Sequence, residues 1–486
     1  MPLPETNSDW PPKPFDKVYP ILDEWSAWYS GDPAALVDQY GWGNTLASRY
    51  QLYGGIVGWV ARLFWGAPRT KGAENTSKLH LPLAEDIAAE GGKQLFKNPP
   101  RISVESTEHQ DYLELFTADG LFLNLMQAGE IGSGLGDVYL RVGYDLAISD
   151  LPIVTKHSPD LVIPFFSYGR LQSALLWREL EDDAGVIFRH MELHEPGWIY
   201  HRLYQGTKNN VGKIIALSSR IETRGLSETQ STGLDELAVI HIPNLHTRLW
   251  RKLGQASHLG RSDFGAPGII TLMDALDETY TSLMRDIRLG KFRLMVPQQY
   301  LDPLGRGQGA SFDLDKEVFV ELNAMVPKDK LEIVPAQAAI RVTDHVNAGL
   351  ALTERIISGS GYSAQTFGMT GEVAMTATES RARERKTFDT RDVKIETWKP
   401  RTGDLTRIMF KTMVLMGKAS IYDGPILVEF PLPVEKEEKE VAETIEILSR
   451  AQAISTFEKI RLRKPEWDEE RINAEVTAIQ NSVVTS

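Results

Sequence analysis

Residues Ser358–Ser380, "SGSGYSAQTFGMTGEVAMTATES", open on Ser-Gly-Ser-Gly, carry no charge until Glu372, and then pass into a run of alternating charges with helical character. The segment before them has helical spacing over Pro335–Ile357. Further upstream, Ile269, Leu272, Met273, Leu276, Tyr280, Leu283, Met284 and Ile287 recur every three or four positions, which predicts one long amphipathic helix over Pro267–Leu289. Between these helices lies a small α+β insert, with a turn at Asp302–Ser311 and a strand-like "VFVEL" at Val318–Leu322. Beyond the neutral loop, helical character runs from Glu372 to Lys399. It is expected to kink or break at Pro400–Gly403, where a proline removes a donor and a glycine loosens the backbone.

Residues 17–66 are helical in pattern, with Ile21, Trp25 and Trp28 on one stripe and Tyr50, Tyr53, Val57 and Val60 on another. A helix is predicted over Leu83–Phe96, with a weak point at Gly91-Gly92 and a stop at Pro99-Pro100, and another near Gln110–Ala128. From Asp137 to about Asn244 short runs such as "VYLRVGYD", "LVIPFFSYG", "GVIFRHMELHE", "WIYHRLYQG" and "LAVIHIPN" alternate with Gly, Pro, Asn and Asp, the mark of a β-rich module. After the charged "PLPVEKEEKE" at Pro431–Glu440, the tail reads as helices, two of them short and joined at Pro465. The fold class expected is α+β, mainly helical.

Bulk properties narrow the function. At 486 residues more than one module is expected. The absence of cysteine excludes disulfides and thiolate chemistry. The N-terminus has neither a basic nor an apolar signal region, and the apolar stretch Gly54–Pro68 is short and holds Arg62, so no membrane role is expected. A formal charge of −13, from 66 acidic and 53 basic residues, argues against a protein that grips nucleic acid by neutralising phosphates. It leaves room for one that nucleic acid merely passes.

Catalytic signatures are sparse. There is no phosphate-binding loop with its lysine, no dinucleotide fingerprint after a strand and no nucleophile elbow. In "RHMELHE" a strand would place His190, Glu192 and His194 on one face, which fits a metal site or, more ordinarily, a polar strand face. Glu181-Asp182-Asp183 could serve a hydrolase but reads by default as an exposed turn. No catalytic residue, cofactor or metal is expected.

The order of parts resembles the portal protein of tailed double-stranded DNA bacteriophages, of the siphovirus type. The resemblance is carried by "LPLAEDIAAEGGKQLFKNPPRI", "GRSDFGAPGIITLMDALDETYTSLMRDIRLGKFRLMVP", "SGSGYSAQTFGMTGEVAMTATESRARE" and "AISTFEKIRLRKPEWDEERINAE". It implies a ring of about twelve copies at one capsid vertex of the virion, assembled in the host cytoplasm. Residues 1–263 would supply the wing, 264–291 and 335–357 the stem helices, and 292–334 the clip. Residues 358–371 would be the tunnel loop, 372–430 a kinked helix returning to the wing, and 431–486 the crown. The implied partners are further copies of the chain, the large terminase subunit, a head-to-tail adaptor, the major capsid and scaffolding proteins, and duplex DNA passing without sequence specificity. A DNA-processing enzyme and another minor capsid protein are the alternatives.

On that reading Tyr362, Ser363, Gln365, Thr366, Phe367 and Met369 are the candidate channel contacts, and the glycines let each loop take its own pose. Asp274, Asp277, Glu278 and Asp286 could repel phosphates from an acidic wall, or pair with Arg285, Arg288 or Arg341. The basic run Arg381, Arg383, Arg385 and Lys386, interspersed with acids, reads as an intersubunit or solvated helix surface rather than a DNA grip.

Overall fold

The computed structural model describes residues 3–32, 34–36, 79–183, 186–289, 293–295, 302–303, 310–311, 334–336, 341–369, 377–431, 445–451, 453–464, 467 and 469–484. In chain order the elements are α1 (Tyr19–Ser30), α2 (Leu83–Phe96), β1 (Arg101–Val104), α3 (Thr107–Ala118), α4 (Leu121–Leu135), β2 (Asp137–Gly143) and β3 (Ile153–His157). Next come β4 (Val162–Ser167), β5 (Arg170–Asp183), β6 (Val186–Glu195), β7 (Trp198–Thr207), β8 (Asn210–Ile215), β9 (Thr229–Ser231) and β10 (Val239–Pro243). The remainder is α5 (Ile269–Leu289), β11 (Arg293–Met295), β12 (Asp302–Pro303), β13 (Ala310–Ser311), β14 (Val334–Ala336), α6 (Val342–Gly359), α7 (Ala377–Leu415), β15 (Ile426–Glu429), α8 (Thr456–Arg463) and α9 (Glu469–Val484). Of the described residues 48% are helical and 22% lie in strands, so the chain is α+β.

Two compact units divide the chain. The first comprises Met1–Asp32, Pro82–Ile269 and Ile357–Ser486, the second Pro33–Leu81 and Ile270–Ile356. In the first unit a six-stranded antiparallel sheet holds β4-β5-β6-β7-β8 in order, with β9 added to β7, and a three-stranded sheet runs β10-β2-β3. One of its cores joins helices to the second sheet: Leu95 and Phe96 of α2, Phe116 of α3, Leu125 of α4, Val138 and Leu140 of β2, and Trp398, Leu405 and Phe410 of α7 are all buried together. The strands β1 and β15 pair antiparallel from Arg101↔Glu429 to Val104↔Ile426, tying the segment after α7 back to the one after α2.

Several sequence expectations are met at residue level and others are corrected. The predicted Leu83–Phe96 helix has those bounds. The stretch Gln110–Ala128 is two helices, because Gly120 at φ +88° ends one and caps the next. The Glu181-Asp182-Asp183 run belongs to the end of β5, where Asp183 pairs with Val186. The expected break at Pro400–Gly403 does not occur: α7 continues through Pro400. Trp398 before the proline and Leu405, Ile408 and Met409 after it bury against one core, so the cost of one lost backbone bond is offset by a continuous apolar stripe.

The second unit pairs α5 with α6. Tyr280 lies against Gly349, whose added Cβ would sit 3.0 Å from the ring, and Asp286 meets His345 one turn earlier on α6, so the helices run antiparallel. Leu79–Leu81 is fastened to α5 by the Leu79 N–H on Thr281 Oγ1 and the Leu81 N–H on Asp277 Oδ1. In the insert, Arg293–Met295 pairs with Val334–Ala336 and Asp302–Pro303 with Ala310–Ser311, the latter closing the predicted turn. Pro335 therefore lies in a strand, and α6 starts at Val342. "VFVEL", Tyr50, Tyr53, Val57 and Val60 lie outside the described residues, as do Gly54–Pro68, Glu372 and most of Pro431–Glu440.

The Gly91-Gly92 point is a contact rather than a weakness. A Cβ on Gly92 would stand 2.6 Å from the Met126 carbonyl oxygen and 2.9 Å from the Glu130 nitrogen, both backbone atoms of α4, which cannot step aside. Gly92→Ala gains up to ~1 kcal/mol of helix propensity but forces overpacking that costs about 1–3 kcal/mol, so the net is destabilising. Gly403, inside α7, has only Val428 Cγ2 at 4.0 Å from such a carbon. Gly403→Ala is therefore expected to stabilise by about 0.5–1 kcal/mol, the opposite sign, and urea midpoints of the two variants against the parent check both.

Candidate functional site

The neutral segment begins inside α6, which ends at Gly359, and continues as a turn of 3-10 helix over Ala364–Phe367. Gly359 is required there because a Cβ would fall 2.2 Å from Ile269 Cδ1. Gly361, at φ +100°, occupies backbone space closed to most side chains, and its carbonyl accepts from Thr390 Oγ1 at 2.5 Å. One face of α7 then fastens the segment residue by residue. Lys386 Nζ donates to Ser358 Oγ at 2.8 Å and also to the Ser358 carbonyl. Thr387 Oγ1 accepts the Ser363 N–H at 2.9 Å and meets Thr366 Oγ1 at 2.8 Å. Thr387, Thr390 and Lys394 recur at helical spacing, so a single face of α7 serves the whole segment.

Beneath the loop lies a buried polar cluster. Tyr362 is 1% exposed, and its hydroxyl donates to Asp263 Oδ2 at 2.6 Å. Lys394 Nζ donates to the same oxygen at 2.6 Å, to Ser133 Oγ at 2.8 Å and to Tyr362 Oη at 3.1 Å. All three ammonium protons thus have acceptors. Asn244 Nδ2 donates to the other carboxylate oxygen of Asp263 at 2.8 Å. Burial draws the Lys394 ammonium below its ordinary value against the attraction of Asp263. Burial, then the Asp263 charge, pushes the Tyr362 phenol well above its own. Asp263 is itself held by its N–H on the Ser133 carbonyl at 2.8 Å.

The six predicted loop residues therefore separate. Tyr362, expected to face a ligand, is turned inward because its hydroxyl is the donor that a buried carboxylate needs. Ser363 and Thr366 are tied to Thr387. Gln365 and Phe367 are half-buried, Phe367 edge-on to Tyr362 with centroids 6.1 Å apart. Gly368, at φ +71°, is exposed, with nothing within 4 Å of an added Cβ, and half-buried Met369 follows it. The described part of the loop is a base pinned to α7 that ends at exposed Gly368 and half-buried Met369.

The acidic candidates separate as well. Asp277 is 1% exposed and accepts from Leu81 N–H and meets His80 Nδ1 at 2.9 Å, so it is a bracket and not a wall charge. Asp286 takes His345 Nε2 at 3.1 Å and Arg341 Nη2 at 3.4 Å, the pairing alternative; those partners lower its carboxyl, the His345 hydrogen bond foremost. Glu278 is exposed and Asp274 half-buried. Of the basic run, Arg385 is exposed and lies 3.9 Å from Asp389, whereas Lys386 belongs to the loop anchor.

The strand face carrying His190, Glu192 and His194 forms as expected on β6, and β7 sets His201 directly opposite Glu192. His201 escaped the sequence reading because only the register of the hairpin reveals it. Likewise Asp263 and Lys394 stand 131 positions apart, and nothing local marks them as partners.

Lys394→Met leaves the Asp263 carboxylate buried without its cation and is expected to cost about 3–5 kcal/mol. Tyr362→Phe removes one donor to a charged acceptor, about 1.5–3 kcal/mol, while Lys394 and Asn244 stay in place. Urea midpoints should rank the variants in that order, and amide hydrogen exchange over 360–363 should rise in both. Neither a scan against protein-family models nor a search of curated proteins finds a match to this chain.

Proposed function

We propose that the chain is a portal protein: a homo-oligomeric ring of about twelve copies at one capsid vertex that conducts double-stranded DNA and docks a terminase and a head-to-tail adaptor. The observation that carries the reading is a loop without a single charge from Ser358 to Gly371, its described base fastened to α7 and exposed at Gly368. A ring multiplies every contact by its copy number. One lysine per chain on such a loop would add about twelve phosphate contacts, each contributing to the salt-dependent hold on DNA. A neutral tip touches the polyanion without retaining it, and an overall charge of −13 adds to the repulsion.

The order of elements supports the same reading: paired antiparallel helices with a small β-containing insert between them, then the loop, then one long helix. Gln365, Phe367 and Met369 remain the proposed contacts with DNA or neighbouring loops, and Glu278 and Asp274 the proposed wall charges. In this role the ring has no catalytic step of its own; ATP hydrolysis belongs to the terminase.

Purified full-length protein imaged by negative stain and weighed by mass photometry should give closed rings with an axial hole. Met369→Lys should leave the rings intact and reduce DNA packaged per particle at least about tenfold, with the defect eased by raising salt in an in vitro packaging assay. A chain that stays monomeric under all assembly conditions, or normal packaging by the lysine variant, would count against the proposal.

A further inference from the structure

The polar patch on β6 and β7 is unusual in its ratio of lone pairs to donors. His190 and His194 are each 1% exposed and His201 4%, yet the one carboxylate among them, Glu192, already accepts from Arg141 Nη1 at 2.8 Å and meets His194 Nε2 at 3.4 Å. Every neutral imidazole brings one N–H and one lone pair. Here His201 Nδ1 faces His190 Nε2 at 3.3 Å, while His201 Nε2 and His194 Nδ1, both buried, have no partner in hydrogen-bond geometry among the described residues, although Gln230 of β9 stands near His201. Buried polar atoms normally have one, and such orphans mark a place where something else belongs.

One ring nitrogen each from His190 and His201 and a carboxylate oxygen of Glu192 lie within 4.8 Å of one another. Ligands on a tetrahedral zinc stand about 3.4 Å apart, given metal–nitrogen bonds of about 2.0–2.1 Å. The gap is closed by small rotations of side chains already on one face of a rigid hairpin. Two imidazoles and a carboxylate are the donor set preferred by zinc and its neighbours, and not by calcium or magnesium.

We infer that His190, His201 and Glu192 bind one divalent cation of the zinc class, which staples β6 to β7 within the six-stranded sheet. Arg141 and His194 hold the Glu192 carboxylate in place, as hydrogen-bonded partners of metal ligands commonly do. Burial disfavours the charged form of both rings, and a bound cation would take the place of the His190–His201 hydrogen bond so that each ring turns a lone pair to it. Burial alone would raise the Glu192 carboxyl, but the His194 hydrogen bond and the Arg141 charge carry it down to about 2, so it is ionised. The other groups facing the cluster are Arg178 from β5, His157 from β3 and Gln230 from β9. The nearby guanidinium of Arg141 weakens a cation's hold, and it is placed at a half-exposed rim.

The test uses the untagged full-length chain, stripped with chelator and titrated with zinc chloride. One zinc per chain is expected, with a higher melting temperature. His201→Gln and Glu192→Gln should each weaken binding beyond the roughly 10–100-fold typical of losing a ligand's outer partner, while His345→Gln, in the other unit, changes nothing. Cobalt(II) added to the unaltered chain should give the strong visible absorption of a four-coordinate site, a readout that needs no variant. Failure of the unaltered chain to bind either metal stoichiometrically would overturn the inference, as would undiminished binding by a His201→Gln variant with parental circular dichroism. Either result leaves the portal reading untouched, since ring formation is measured separately.

Discussion

One buried carboxylate, Asp263, sets the geometry of everything around the neutral loop. It is completely shielded from solvent, so its charge must be met inside the protein, and the three groups that meet it come from distant parts of the chain: Asn244 after β10, Tyr362 in the loop and Lys394 in α7. An ion pair of this kind contributes little net stability compared with apolar residues of the same volume. Its effect is on position. The three donors converge on one carboxylate, which fixes the segment before α5, the end of α6 and the middle of α7 in register with one another.

Close approach of backbones makes that register possible. Gly91 and Gly92 let α2 lie directly on α4, bringing Ser133 under the Lys394 ammonium; a Cβ on Gly91 would strike Ser133 Oγ at 2.2 Å and the Tyr362 hydroxyl at 2.9 Å. Gly359 does the same between the end of α6 and Ile269. Helix propensity alone would place alanine at such sites. At Gly91 it is the polar cluster that leaves no room for another carbon, at Gly92 the backbone of α4 and at Gly359 the Ile269 side chain.

How far these features could be read from the sequence depends on whether their cause is local. Helices with an apolar stripe, such as Leu83–Phe96, and strands that open on β-branched and aromatic residues, such as Val186–Glu195, show their pattern within a few turns or residues. The strand β5 did not, because "LQSALLWRELEDD" mixes leucine and charge in a way that suits a helix equally well; its partners β4 and β6 decide the matter. Pro400 reads locally as a break and is overruled by the burial of Trp398 and Leu405 on the same side. For the loop, lack of charge was visible and the pinning was not, since Thr387, Thr390 and Lys394 acquire meaning only when α7 folds back alongside it. Tyr362 looked like a surface contact for the same reason.

The pinned base alters what a neutral loop can do. On the proposed portal reading, a fully free segment of this length would sample many poses and lose most of its contact time to entropy, whereas a fully fixed one could not accommodate a helical duplex that lacks the symmetry of a ring. If the chain forms the ring proposed above, anchoring Ser358 through Thr366 on α7 is an intermediate solution, in which each copy would present exposed Gly368 at a set height. Charge neutrality and mechanical support are then complementary requirements. Lys386 engages Ser358 and Thr387 engages Thr366, so on the proposed portal reading exposed Gly368 and half-buried Met369 are left to press against phosphate or sugar without a charged bond that must later be broken.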